Sequence, residues 1–208
     1  TGYALNAGTI VSAVSRMADD LEQDTEVIKQ RILASPVAHT DETGARIAGK
    51  LHWGHDLVTE LYTYFFVHPK RGKEALNSTR SITSQFTGTL IHDCWSSYFN
   101  IGCSNHGLCG AHLLQELAHL SDKHQSKWAS QMHDLLMYAY QFSEGGTNHL
   151  LDAKLKVVRR RYAEILAKAD VEEPPPIINE RGKQKKSKGR NLMDQLVKYE
   201  DYLLKFAV

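Results

Sequence analysis

Between Val37 and His92 the chain changes its hydrophobic rhythm several times in a fixed order, and few folds accept that order. Val37 to Thr40 is a short apolar run ending at Asp41, and Arg46-Ile47-Ala48 and Lys50 to His55 flank a turn at Gly49. Leu61 to His68 is a β-branched and aromatic run, Leu-Tyr-Thr-Tyr-Phe-Phe-Val-His. Alternating or β-branched runs of this length predict strands. After Pro69-Lys70-Arg71-Gly72, the segment Lys73 to Ile82 is helix-compatible, and Gly88 opens another run, Thr89 to His92, that ends at Asp93. The predicted order is β-β-β-α-β, with a fifth short strand at Gly107-Leu108-Cys109.

Helical periodicity brackets this block. Ile10, Val14, Met17, Leu21, Ile28 and Ile32 recur at steps of three, four or seven, which predicts one helix from Asn6 to Leu33, capped by Asn6 or Thr9 and stopped by Ser35-Pro36. It reads as a packing or dimerising helix. From Ala111 onward the pattern is helical again. Leu113, Leu117, Leu120, Trp128, Met132, Leu135 and Ala139 mark one or two helices before Gly145-Gly146, and another runs from about Asn148 to Ala169. Pro174-Pro175-Pro176 breaks the pattern, Arg181 to Arg190 is a basic loop, and a last helix runs from Asn191 to about Phe206.

Composition excludes several classes. At 208 residues and 42% apolar, the chain suits one core or one domain with a large insertion. No run of eighteen apolar residues occurs and Thr1-Gly2-Tyr3 opens no signal peptide, so a cytoplasmic location is expected. Cys94, Cys103 and Cys109 are odd in number and crowded, which points to reduced thiols or metal ligands rather than a disulfide framework. The formal charge of +1 makes no global case for nucleic acid, so local basic runs matter more.

Asp41 and Asp93 are the candidate catalytic residues. A carboxylate at a strand end is a hard oxygen ligand suited to Mg²⁺. Two of them sharing metal ions suit phosphoryl transfer on nucleic acid, and a ribonuclease H type of fold places both at one end of adjacent strands. An Asp at a strand end is also common in turns and caps. Glu42 follows Asp41 and points to the opposite face of a strand, which makes it a poor co-ligand. His39 shares a face with Asp41, whereas His92 faces away from Asp93 and reads as core. Trp53 and Trp95 also read as core.

Cys103, His106, Cys109 and His112 recur every three residues. Four such ligands would close a tetrahedral zinc site, although the spacing is unlike paired knuckles. The other reading keeps Cys109 and His112 alone, opening a helix beside the active site, with Cys103 packed. For phosphate contact the candidates are Lys70-Arg71 and the loop residues Lys183, Lys185, Lys186, Lys188 and Arg190. Arg159-Arg160-Arg161, close to Asp152 and Glu164, reads instead as a solvated helix face.

The segments His39-Thr40-Asp41-Glu42-Thr43-Gly44, Gly49-Lys50-Leu51-His52-Trp53, His68-Pro69-Lys70-Arg71-Gly72, His92-Asp93-Cys94-Trp95-Ser96-Ser97-Tyr98 and Leu108 to Leu117 resemble, in order and spacing, the successive motifs of the insertion sequence 66 family of bacterial DDE transposases. The resemblance covers roughly residues 5 to 208. It implies an α/β fold, a ribonuclease H-like mixed sheet with an N-terminal helix and a helical insertion. The expected organisation is a helical segment over 1–36, a first part of the core over 37–120 and the insertion over 121–208. It implies Mg²⁺- or Mn²⁺-dependent DNA strand cleavage and transfer through two metal ions, with Asp41 and Asp93 as the first two acids. His39, Cys109, His112 and Glu116 would be active-site neighbours. DNA, as transposon ends and target, would be the partner, with homo-oligomers, no membrane and a bacterial nucleoid-associated location. The family's third acid lies in an Asn-Asn-x-x-Glu-Arg motif that does not occur before Val208, so this stretch alone is expected to be inactive. Glu116 ranks behind a Glu beyond that residue. The rival readings are a non-catalytic DNA-binding or oligomerisation module and a metal-dependent nuclease of the same fold.

Overall fold

The computed structural model describes residues 6–102, 105–143, 150, 152–176, 178–179, 182–183 and 185–207; for 178, 179, 182 and 183 it describes the backbone only. Contacts divide it into two compact units. The first holds the described residues up to Ile91 together with Ser96–His106, and the second holds His92–Trp95 and the chain from Gly107 onward.

The first unit opens with two helices, α1 (Ala7–Asp20) and α2 (Glu22–Leu33), where the apolar stripe predicts one. Asn6 caps α1 by accepting the Gly8 N–H at 2.8 Å. The break falls at Leu21, where Asp20 and Asp24 would stand one turn apart on a continuous helix, a like-charge pairing that disfavours it. No residue of α1 is buried, whereas α2 buries Ile32 and packs on the sheet, its Lys29 ammonium 5.2 Å from the Tyr64 ring centre.

The sheet is built on a long hairpin. Strands β1 (Val37–His39) and β2 (Glu42–Ile47) are one extended run interrupted at Thr40-Asp41, and β3 (Lys50–Val58) returns antiparallel to both, pairing Ile47 with Lys50 and His39 with Val58. Ala48 and Gly49 turn the chain with φ of 49° and 77°, the mirror-image turn whose twist matches its flanking strands. Strand β4 (Thr63–His68) pairs with the other edge of β3. The connection to the next strand is helical only over α3 (Lys73–Leu76) and a single 3₁₀ turn, Thr83–Gln85, because Asn77-Ser78-Thr79 favours turns. Strand β5 (Thr89–His92) runs parallel to β1, pairing Val37 with Thr89 and His39 with Ile91. Gly88 lets β5 enter, since a Cβ there would lie 2.5 Å from the Pro36 carbonyl oxygen. Strand β6 (Asn105–Leu108) completes six strands in the order β2-β3-β1-β5-β6, with β4 on β3. This mixed sheet, antiparallel hairpins followed by a parallel return beside β1, is compatible with a ribonuclease H-like α/β fold. Ala38, Leu57, Phe66, Leu76, Phe86, Leu90 and Tyr98 form its buried interior.

The second unit is helical: α4 (Gly110–His124), α5 (Lys127–Phe142), α6 (Asp152–Glu172), α7 (Lys188–Lys198), α8 (Glu200–Leu203) and a 3₁₀ turn, Leu204–Ala207. A two-stranded hairpin, β7 (Ile178–Asn179) with β8 (Gly182–Lys183), lies between α6 and α7. Leu117, Trp128, Met132, Val158, Tyr162, Leu192 and Leu204 share one buried cluster, reproducing the helical stripes of the sequence. The basic stretch Lys188 to Arg190 is not loop but the first turn of α7, capped by the Ser187 hydroxyl, which accepts the Arg190 N–H at 2.9 Å. Glu172, at the end of α6, accepts the Lys127 N–H at 3.1 Å and thereby places a negative charge on the N-terminus of α5.

Candidate active site

Asp41 stands in the gap between β1 and β2, and the hairpin register sets Asp56 of β3 opposite it. The Asp41 N–H donates to Asp56 Oδ1 at 2.7 Å and the Asp41 carbonyl accepts the Asp56 N–H at 3.1 Å. The Thr40 hydroxyl donates to the Asp56 carbonyl at 2.7 Å, and the Thr40 N–H reaches the Ile91 carbonyl at 2.9 Å, tying this point to β5. Asp41 Oδ1 accepts the Glu42 N–H at 2.9 Å, and the residue is exposed. Burial, reinforced by the Asp41 charge, raises the Asp56 carboxyl above its ordinary pKa against the pull of the Asp41 N–H and His39. Desolvation lowers the pKa of His39, opposed by Asp56.

Strand alternation sends Glu42 to the opposite face, as the sequence predicts. There its side chain is only 1% exposed. Arg71 donates to Glu42 Oε1 from Nε at 2.6 Å and from Nη2 at 2.5 Å, and the Tyr98 hydroxyl donates to Oε2. The Arg71 guanidinium lies 4.9 Å from the centre of the Trp53 ring.

Asp93 directly follows β5 and belongs to the second unit. Its Oδ1 accepts the Trp95 N–H at 2.9 Å, and buried His92 accepts the Cys109 N–H on its carbonyl at 2.8 Å. Cys109 stands at the N-cap of α4, and His112 and Glu116 follow one turn apart on that helix. Although the Glu116 residue is largely exposed, desolvation of its carboxyl, then the Asp93 charge, raises its pKa, with His112 opposing. Burial, then Asp93 and Glu116, pushes the Cys94 thiol up to about 11, so it stays protonated and unreactive. The second unit thus gathers Asp93, Cys94, His112 and Glu116 into one electrostatic neighbourhood.

For zinc, Cys103 lies outside the described residues, and desolvation lowers the pKa of His106. Among the described residues, no three or more His, Cys, Asp or Glu side chains are grouped to hold a metal ion. As donors, Asp41 and Asp93 are hard carboxylates, the chemistry Mg²⁺ prefers. Of the basic candidates, Lys70, Lys185 and Lys188 are exposed, and the Lys183 side chain lies outside the described residues. Lys186 pairs with Asp194, and Arg190 donates to Asp194 at 2.9 Å and to Asp170 at 2.6 Å. Arg159 pairs with Glu200 at 2.6 Å and Asp201 at 2.8 Å, and Arg160 lies 3.7 Å from Glu164. Sequence reasoning did not single out Asp56, Tyr98 or the buried role of Glu42.

A family model described as Transposase IS66 family matches residues 1–208, the full length of the chain. The chain belongs to that family. No curated protein and no solved structure matches it. Membership makes it a transposase, an enzyme of a class that acts on DNA and generally uses a divalent metal. Among the described residues, no helix is long and apolar enough to cross a membrane.

Proposed function

We propose that this chain supplies Asp41 and Asp93 as the first two metal-holding acids of a DDE transposase that cleaves and joins DNA strands at insertion-sequence ends. The observation that carries the reading is the parallel pairing of β1 with β5, in which His39 stands opposite Ile91. Asp41 and Asp93 each follow two residues after that pair in the sequence. A bound pair of Mg²⁺ ions would activate the attacking oxygen and stabilise the leaving one. The chain's own part is to hold those ions through hard carboxylates, with His39 beside Asp41, and Cys109, His112 and Glu116 beside Asp93. Exposed Lys70, Lys185 and Lys188 are the cations we assign to DNA phosphates, and the work takes place at the bacterial nucleoid, in homo-oligomers.

The test is cleavage and joining of DNA carrying the element's ends by the transposase with all three acids present. Asp41→Asn and Asp93→Asn should each reduce both steps to background while leaving DNA retention intact. Cleavage undiminished in either variant would refute the assignment. Ends cut but never joined by the unaltered protein would favour the nuclease reading.

A further inference from the structure

Glu42 has every sequence credential of a ligand, an acid beside an acid, yet the structure commits both of its oxygens elsewhere. Oε1 takes two guanidinium N–H groups from Arg71 and Oε2 takes the Tyr98 hydroxyl, with the side chain 1% exposed. A buried ion pair is a poor way to gain stability, because desolvation offsets most of the attraction. What it provides is a fixed geometry. The two partners of Glu42 come from chain segments 29 and 56 residues away, and the Arg71 guanidinium itself lies 4.9 Å from the centre of the Trp53 ring of β3.

The consequence reaches Asp41 through one bond. The Asp41 carboxylate accepts the Glu42 N–H, 2.9 Å from Oδ1. Asp56 fixes the Asp41 backbone on the strand's other side, through the Asp41 N–H and carbonyl. A locked Glu42 side chain fixes the orientation of the Glu42 peptide, and that peptide N–H sets the Asp41 carboxylate. We propose that Glu42, Arg71 and Tyr98 are positioning residues whose buried lock aims Asp41 at its metal, an inference that rests on Asp41 being a metal-holding acid.

The experiment measures donor-end cleavage by the transposase against Mn²⁺ concentration, alongside thermal melting, for Glu42→Gln, Tyr98→Phe and Asp41→Asn. Groups that orient a metal ligand typically change metal affinity or activity by about 10- to 100-fold when altered. Glu42→Gln should raise the Mn²⁺ concentration for half-maximal cleavage by about 10-fold or more, and Tyr98→Phe by less, in the same direction. Should Glu42→Gln fail to fold, the Tyr98→Phe shift decides alone, since removing one hydroxyl leaves the ion pair in place. Lower melting temperatures with an unchanged Mn²⁺ midpoint would show a purely structural lock and overturn the proposal, as would wild-type behaviour in both variants. Asp41→Asn separates the two levels. Its loss of cleavage beside an unshifted Glu42→Gln sinks only the lock, whereas cleavage surviving in Asp41→Asn sinks the metal assignment beneath it.

Discussion

The sheet unit and the helical unit use the same charged residue types in opposite ways. In the first, the Glu42 side chain is 1% exposed, lying between β2, the segment after β4 and the turn carrying Tyr98, and it meets an Arg71 side chain that is 40% exposed. In the second, Arg159 and Arg190 bridge helices with carboxylates that are up to 83% exposed. Removing Arg71 leaves Glu42 an uncompensated buried charge, whereas removing a cation in the second unit leaves a carboxylate that water can solvate. Geometry at Asp41 therefore depends on the first kind of pair, and helix docking is only trimmed by the second.

The largest effect should follow Glu42→Ala, which strands Arg71 against Trp53. We expect a loss of about 2 kcal/mol, below the range for a fully buried pair, because the Arg71 side chain is 40% exposed and water solvates the stranded charge. The double replacement Glu42→Leu with Arg71→Met should recover most of that stability in chemical denaturation, since neither charge is then buried. It should not recover metal-dependent cleavage. A double variant as unstable as the single one would break the comparison. Arg159→Ala should cost about 1 kcal/mol, and less in high salt, because its side chain is 35% exposed and its partner Asp201 83% exposed. A cost matching that of Glu42→Ala would erase the distinction between the units.

The smallest effect concerns His55, buried in β3 and stacked on Phe66 at 5.0 Å. Burial lowers its pKa from 6.5, with Arg71 and His68 adding to the shift and the Lys70 carbonyl opposing it. The folded state therefore takes up a proton less readily than the unfolded chain. Its stabilising contribution is complete above the ordinary histidine pKa and is lost as pH falls through the lowered folded value. Melting curves recorded from neutral to mildly acidic pH should fall less steeply for His55→Asn than for the unaltered protein.

What the sequence shows depends on the range of the interaction. Helices α4, α5 and α6 are legible because Leu117, Trp128, Met132 and Val158 repeat at helical spacing and bury the same face. The Leu21 break carries no Gly or Pro to announce it. Arg190 with Asp194 is an i,i+4 pair that the sequence does contain, although a run of lysines draws attention to phosphate instead. Asp56 was within reach. A hairpin centred on Ala48-Gly49 sets it opposite Asp41, but the predicted strand stops at His55, one residue short. Glu42, Arg71 and Tyr98 meet across 29 and 56 residues, and no local rule of spacing or propensity encodes that meeting. Alternation does reveal half of it, the fact that Glu42 turns away from Asp41.

The central claim is that Asp41 and Asp93 hold the ions used in strand cleavage. The direct measurement is cleavage of the element's ends by Asp41→Cys and Asp93→Cys variants of the transposase with its third acid present, in Mg²⁺ and in Mn²⁺. A thiolate is a poor ligand for Mg²⁺ and a better one for the softer ion. Each variant should be silent in Mg²⁺ and regain cleavage in Mn²⁺, whereas undiminished cleavage in Mg²⁺ by either one would contradict the account.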